Sequence, residues 1–288
     1  MKKFLLYILL VLILVVLVGG SVYIIWRIYK TRPLPSSPKN QVSQEEKKAQ
    51  RAEEEKTLIE NIKDTFNIQS PGTSLAIGVY DLNNNDYFGD NDTISQHAAS
   101  TSKVITATYI YDQAEKGKTD LNKVIGLYNI ETQIKFLVNV SSEDSWQLID
   151  AEFKPEDQNK YAQSLGLQAT DLNFGKNVTS AKDITILLKK LAKGEILNQA
   201  NRGKLFSYMQ KTESEDLFSP AFMEAKIPFY HKTGKYEGEA HDAAIVQHPK
   251  NPFVLVILTD NKTDTNLIGR GTVMTKAARM VLEYFDEL

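Results

Sequence analysis

Residues 226–260 read KIPFYHKTGKYEGEAHDAAIVQHPKNPFVLVILTD and contain three apolar segments separated by short polar breaks. The first break contains Gly238, and the second is HPKNP, whose proline and asparagine residues favour turns. Strand-like segments joined by such short connections are typical of neighbouring antiparallel strands. This pattern predicts that the C-terminal part of the chain forms one side of an antiparallel sheet.

Two further strands are predicted near the other end of the folded part, in TSLAIGVYDL (73–82) and YFGD (87–90). Helical spacing predicts a helix from about Ser102 to Lys116, several helices over 130–211, and a last helix over about Thr272–Leu288. The order of elements predicts an α+β fold: an antiparallel sheet flanked by terminal helices, with an inserted all-helical lobe. We expect a functional site in the cleft between sheet and lobe.

Three polar motifs lie at the predicted element ends. The first, STSK, begins at Ser100 and opens a helix, so that Lys103, three residues on, shares a face with the Ser100 hydroxyl. A lysine beside a serine suits an activated nucleophile, although alone the pattern favours an N-cap serine with an exposed lysine. The helix N-terminus also favours a developing oxyanion.

The second motif, Lys232-Thr233-Gly234, ends a predicted strand. A lysine and a hydroxyl there can hold a carboxylate, and glycine leaves room for a substrate backbone. The third motif, Ser141 to Glu143, precedes a helix, and alone it is explained by N-capping.

Taken together, the order and setting of these motifs over residues 57–288 resemble the class A β-lactamases and penicillin-binding proteins, with their S-x-x-K, S-D-N and K-T-G motifs. The resemblance implies a β-lactamase/transpeptidase-like fold. It also implies that Ser100 is the acylated nucleophile, Lys103 its proton acceptor, and Ser141 the group that passes the proton to the leaving nitrogen.

The same resemblance implies that Lys232 and Thr233 bind the substrate carboxylate, with Gly234 beside the substrate backbone. The backbone N–H groups of Ser100 and Tyr236 would form the oxyanion hole. The family needs no metal or organic cofactor for this reaction.

Two departures from the family pattern bear on turnover. Glu143 stands where the middle motif ends in asparagine, and its carboxylate is predicted to pair with Lys103 and hold it protonated. In the segment before Leu172-Asn173, Ala169 stands where class A enzymes carry the glutamate that activates the deacylating water. We therefore expect weak or absent deacylation.

The sequence thus predicts a serine hydrolase that acts on β-lactams or on D-Ala-D-Ala cell-wall peptides. The alternative is a non-catalytic relative that binds cell-wall peptide or an envelope partner. Covalent labelling by a penicillin distinguishes the two.

The composition of the chain argues against several other classes of function. The 288 residues carry a formal net charge of −2, which argues against a nucleic-acid partner. There is no cysteine, so disulfides and thiolate metal sites are excluded. The four histidines show no paired helical spacing, and no metal site is expected. The sequons at Asn91, Asn139, Asn177 and Asn261 are interpreted as chance occurrences.

Phe4 to Trp26 contains no charged residue and, as a helix, covers about 34 Å, enough to cross a bilayer. We therefore expect a single-pass anchor over residues 1–30, in preference to a cleaved signal peptide. A charged, proline-containing stalk over 31–56 and the hydrolase domain over 57–288 follow. Basic residues flank the anchor on both sides, so their charge does not decide its orientation. The extracellular or periplasmic location of the domain is expected from its substrates.

Overall fold

The structure, a computed structural model, describes Trp26, Arg27, Lys30 and residues 39–288. Its helices are α1 (Lys39–Gln69), α2 (Lys103–Glu115), α3 (Ile130–Asn139), α4 (Glu143–Glu152), α5 (Pro155–Ser164), α6 (Ala181–Lys193), α7 (Gln199–Tyr208), α8 (Ser219–Glu224) and α9 (Leu267–Glu287). Its strands are β1 (Ser74–Asp81), β2 (Asp86–Asp90), β3 (Gln96–His97), β4 (Val124–Ile125), β5 (Tyr128–Asn129), β6 (Val178–Thr179), β7 (Phe229–Tyr236), β8 (Glu239–Val246) and β9 (Phe253–Asp260).

The main sheet has five antiparallel strands in the order β2-β1-β9-β8-β7. Strand β1 pairs with β9 from Ser74 opposite Asp260 to Asp81 opposite Phe253, so the two ends of the chain meet in the sheet centre. The predicted α+β fold, with its antiparallel sheet and inserted helical lobe, is confirmed. Strand β7, which carries the Lys232 motif, lies at the sheet edge.

The sheet separates two apolar cores, because alternate side chains of a strand point to opposite faces. On one face, Phe253, Leu255 and Ile257 of β9 pack with residues of α1, α8 and α9. On the other face, Val254 and Val256 pack with α2, α6 and the helical lobe. The lobe is thereby attached to the sheet through the helix that follows Ser100.

Two element bounds differ from the sequence prediction. Helix α9 begins at Leu267 rather than at about Thr272, because the Asn266 side chain accepts a hydrogen bond from Gly269 N and caps an earlier start. Helix α1 runs without a break across the predicted boundary between stalk and domain at residues 56 and 57. Its predicted apolar positions from Leu58 to Phe66 are buried.

The chain divides into two compact units, Met1–Glu53 and Glu54–Leu288, and the second holds the sheet and the lobe. In the described ranges, no helix has both the length and the apolar character needed to cross a membrane. The predicted anchor at 1–30 falls, apart from Trp26, Arg27 and Lys30, outside the described residues.

Candidate active site

Ser100 lies in the turn that leads into α2 and is half-buried. Every residue of α2 from Lys103 to Tyr111 is buried, on all sides of the helix. A helix enclosed all round by packed side chains has no freedom to shift as a unit. The core therefore holds the turn that carries Ser100 in one place.

The Lys103 side chain is fully buried and its ammonium makes polar contacts on the lobe side of the site. Lys103 Nζ donates to Ser141 O at 2.7 Å and also to Glu143 Oε1. It lies 4.7 Å from the ring centroid of Trp146. The Glu143 side chain is 67% exposed, so this ion pair joins a buried cation to a solvated carboxylate.

Two opposing effects act on the pKa of Lys103. Burial lowers the pKa of the Lys103 ammonium below its ordinary value, and Glu143, which raises it, offsets only part of that effect. The ion pair with Glu143 is present as predicted, and it raises the pKa of Lys103 as expected. The desolvation of a fully buried ammonium outweighs its attraction to a carboxylate that water screens.

Ser141 connects Lys103 to the lysine of the strand motif. Lys232 Nζ donates to Ser141 Oγ and, at 2.8 Å, to Thr233 O. Ser141 has φ 53°, a left-handed conformation that a serine rarely adopts. This conformation presents the carbonyl oxygen of Ser141 to one lysine and its hydroxyl to the other, and strain of this kind is typical of functional sites.

Lys232 is buried in β7. Burial and the nearby charge of Lys103 lower the pKa of Lys232 to about 7. At neutral pH, Lys232 is therefore poised between its charged and uncharged forms. An anion bound beside it would favour the charged form.

Gly234 brings β7 against the turn of Ser100. A Cβ at this position would lie 2.9 Å from Ser100 N and 3.1 Å from Ala98 O, so no larger residue fits without displacing the backbone. Thr233, beside it, is buried. Tyr236 is exposed at the end of the same strand, with its ring 5.2 Å from that of His97.

The structure therefore brings the three sequence motifs together. Direct contacts join Lys103, Ser141, Glu143 and Lys232, and the close approach of Gly234 places β7 beside Ser100. Tyr236 lies on the same strand, and its described ring contact is with His97 rather than with Ser100.

The segment around Ala169, where a deacylation base would be expected, is held in place by hydrogen bonds of its backbone. Ala169 N donates to Asp183 Oδ2 at 2.8 Å, and Ala169 O accepts from Ser95 Oγ at 2.9 Å. Thr170 Oγ1 also donates to Asp183, at 2.7 Å. The methyl side chain of Ala169 has no group that can take a proton from water.

His231 is fully buried. Its Nδ1 lies 3.0 Å from Asp242 Oδ1 and its Nε2 lies 3.3 Å from Glu215 Oε1. Burial alone would lower the pKa of His231, but these two carboxylates raise it to about 9. The contact with His231 in turn lowers the pKa of Glu215 to about 2, although the burial of Glu215 acts to raise it. A buried imidazolium thus joins the strand of Lys232 to the 212–216 segment.

Asn177 was not predicted from the sequence as a site residue, yet its side chain contacts the turn on both sides of Ser100. Its only local signal was a sequon. The Nδ2 atoms of all four sequon asparagines donate to backbone carbonyls; these residues are Asn91, Asn139, Asn177 and Asn261.

Comparisons with known proteins identify the family and the fold. Residues 57–134 and 146–285 match the model of the beta-lactamase enzyme family. The structure of PBP-A, as a mutant in an acyl-enzyme complex with penicillin G, is 21% identical, with TM-score 0.73 over 81% of this chain and 97% of that chain. A beta-lactamase from Sphaerobacter thermophilus is 16% identical, with TM-score 0.72 over 79% of this chain and 97% of that chain.

An ancestral class A beta-lactamase is 17% identical, with TM-score 0.72 over 79% of this chain and 100% of that chain. No curated protein matches the sequence. These structures show a common fold, and the family match includes both the turn of Ser100 and the strand of Lys232. The chain therefore belongs to the beta-lactamase enzyme family.

Proposed function

We propose that this protein is a membrane-anchored serine hydrolase that forms an acyl-enzyme on Ser100 with β-lactams or D-Ala-D-Ala cell-wall peptides. The family and the fold support a reaction of the serine hydrolase kind. The single observation that carries the proposal is the linked set of Lys103, Ser141 and Lys232 beside a nucleophile turn that Gly234 closely approaches.

Acylation begins with attack of the Ser100 oxygen on the amide carbonyl carbon. Lys103 takes the hydroxyl proton in its uncharged form, which burial makes more accessible. The carbonyl oxygen becomes an oxyanion and receives hydrogen bonds from the N–H groups of Ser100 and Tyr236. Preorganised donors of this type usually supply about 10²–10³ in rate.

Collapse of the intermediate breaks the carbon–nitrogen bond and requires a proton on the leaving nitrogen. We infer that Ser141 Oγ donates this proton and regains one from Lys232, whose ammonium contacts it directly. Lys103 leaves the step with the proton of Ser100 and Lys232 leaves it uncharged, and transfer of one proton through water restores both lysines. The substrate carboxylate, bound by Lys232 and Thr233, would favour the charged form of Lys232.

Deacylation is the slow step in this proposal. Water must be deprotonated to attack the ester, and general-base catalysis of that step contributes about 10²–10⁴ in rate. Ala169 supplies no base, and the Asp183 carboxylate behind it accepts hydrogen bonds from Ala169 N and Thr170 Oγ1. A long-lived acyl-enzyme follows, as in a penicillin-binding protein rather than an efficient β-lactamase.

A fluorescent penicillin tests the proposal on the full-length chain in detergent. We expect covalent labelling that survives denaturation, disappears in Ser100→Ala, and persists in Ser102→Ala, a change of the neighbouring serine in the same turn. Absence of label in the folded wild-type protein would contradict the proposal and favour the alternative, a non-catalytic relative that binds cell-wall peptide or an envelope partner.

A further inference from the structure

We propose that Asn177 is a positioning residue that orients and polarises the Ser100 N–H group as an oxyanion donor. The proposal rests on the proposed acylation of Ser100, and it assigns a function to the loop before α6. Three contacts of the side chain and backbone of Asn177 with the turn that carries Ser100 support it.

The contacts of Asn177 lie on both sides of Ser100. Asn177 O accepts from Ala98 N at 2.8 Å, and Asn177 Nδ2 donates to Ala99 O at 2.9 Å. Asn177 Oδ1 accepts from Ser102 Oγ at 2.7 Å. Because a carbonyl oxygen only accepts, the atom that faces Ala99 O must be the amide nitrogen, which determines the orientation of the side chain.

The backbone at these contacts is strained. Ala99 has φ 46° and Asn177 has φ 42°, both in the left-handed region that alanine in particular avoids. Such conformations persist only where surrounding contacts enforce them. The hydrogen bonds that Asn177 accepts from Ala98 and Ser102 and donates to Ala99 supply that enforcement for the turn.

The bond to Ala99 O acts on Ser100 directly. The Ala99 carbonyl and the Ser100 N–H belong to one planar peptide group, so fixing the direction of the oxygen also fixes the direction of the N–H. A hydrogen bond donated to the carbonyl also polarises that peptide and strengthens its N–H as a donor. Asn177 therefore acts on the developing oxyanion through the peptide group between Ala99 and Ser100, and it does not itself contact the substrate.

The chain offers variants that separate this role from simple loop support. Asn177→Asp retains an acceptor for Ser102 Oγ but loses the donor to Ala99 O, and Asn177→Gly tolerates the positive φ with no side chain. Asn159 is a matched control. It is a buried asparagine, whereas Asn177 is half-buried, and its side chain accepts from Leu172 N at 2.7 Å and donates to Asp171 Oδ1 at 3.0 Å in the same loop.

Two measurements test the proposal on the full-length chain with penicillin G. The first is the acylation rate at saturating penicillin, which we expect to fall about tenfold in both Asn177 variants, the loss typical of one net hydrogen bond. The second is the ester carbonyl stretching frequency of the acyl-enzyme by infrared difference spectroscopy. It should rise in both Asn177 variants, because a weaker oxyanion hole polarises the carbonyl less.

Asn159→Ala should destabilise the loop but leave the carbonyl frequency at its wild-type value. The frequency is measured only on folded, acylated molecules, so it remains informative when a variant folds poorly. Wild-type frequency in the Asn177 variants, or the same rise in Asn159→Ala, would overturn the proposal. Failure of the wild-type protein to acylate would instead contradict the proposed function, which keeps the two inferences distinguishable.

Discussion

Replacing Glu143 by glutamine removes one charge from the exposed end of the ion pair with Lys103 and leaves the shape of the side chain unchanged. The carboxylate of Glu143 opposes the effect of burial on the pKa of Lys103. We therefore expect the pKa of Lys103 to fall further in Glu143→Gln. More of the lysine is then uncharged, and able to accept the Ser100 proton, at neutral pH.

The size of the effect follows from the exposure of the two partners. A close opposite charge in a partly buried site changes a pKa by about 1–3 units, and water around the 67% exposed Glu143 side chain places this pair at the lower end. At any pH below the pKa of Lys103, one unit corresponds to about tenfold more uncharged lysine. We expect about tenfold faster acylation there and little change on the alkaline plateau.

The assay is the second-order rate of labelling by a fluorescent penicillin, measured from pH 5.5 to pH 10. The rising limb of the profile should move down by about one pH unit in Glu143→Gln. The matched control is Asp144→Asn, which removes the same charge from the adjacent exposed position of α4. That control should leave the limb in place.

An unmoved limb in Glu143→Gln would refute the reasoning, since it would mean that the charge of Glu143 does not govern the base. An equal movement in both variants would also contradict it. The effect would then come from the general negative charge of α4 rather than from the contact with Lys103.

Four further predictions concern the rest of the chain. His231, whose pKa is raised from 6.5 to about 9, stabilises the fold by about 3 kcal/mol below pH 6.5, and this is lost as pH rises to 9; urea unfolding should show that slope in the wild type and not in His231→Gln. Gly234→Ala should lower the acylation rate about 10²-fold with helical circular dichroism retained, because its Cβ would meet Ser100 N at 2.9 Å; an unchanged rate would contradict the close approach. Intact-mass measurement after addition of excess penicillin should show one adduct that persists for minutes. Recovery of the free protein within seconds would mean that some residue other than the one at position 169 acts as the base for deacylation. Protease added to intact cells should remove the domain and leave a fragment of about 3–4 kDa, and full protection would contradict the outward location.

Much of the fold could be predicted because its signals are local. Strands β7, β8 and β9 are apolar segments with turn-forming residues between them, and a short connection permits only antiparallel neighbours. The motifs of Ser100 and Lys232 were recognisable for the same reason, since each is a few adjacent residues at an element end. The contact of Glu143 with Lys103 was also predictable, from the position of the glutamate in the middle motif.

The remaining features depend on segments that are distant in sequence. The pKa of Lys103 is lowered because α2 is enclosed by the whole core, and no pattern around residue 103 measures that desolvation. His231 is charged in the interior because the fold brings Asp242 and Glu215 to its two nitrogens. Asn177 reaches Ala99 across 78 positions of sequence. Sequence alone identified the candidate residues for the proposed chemistry; tertiary packing decided their pKa values and orientation, because both depend on the solvent exclusion and distant partners that only the folded chain supplies.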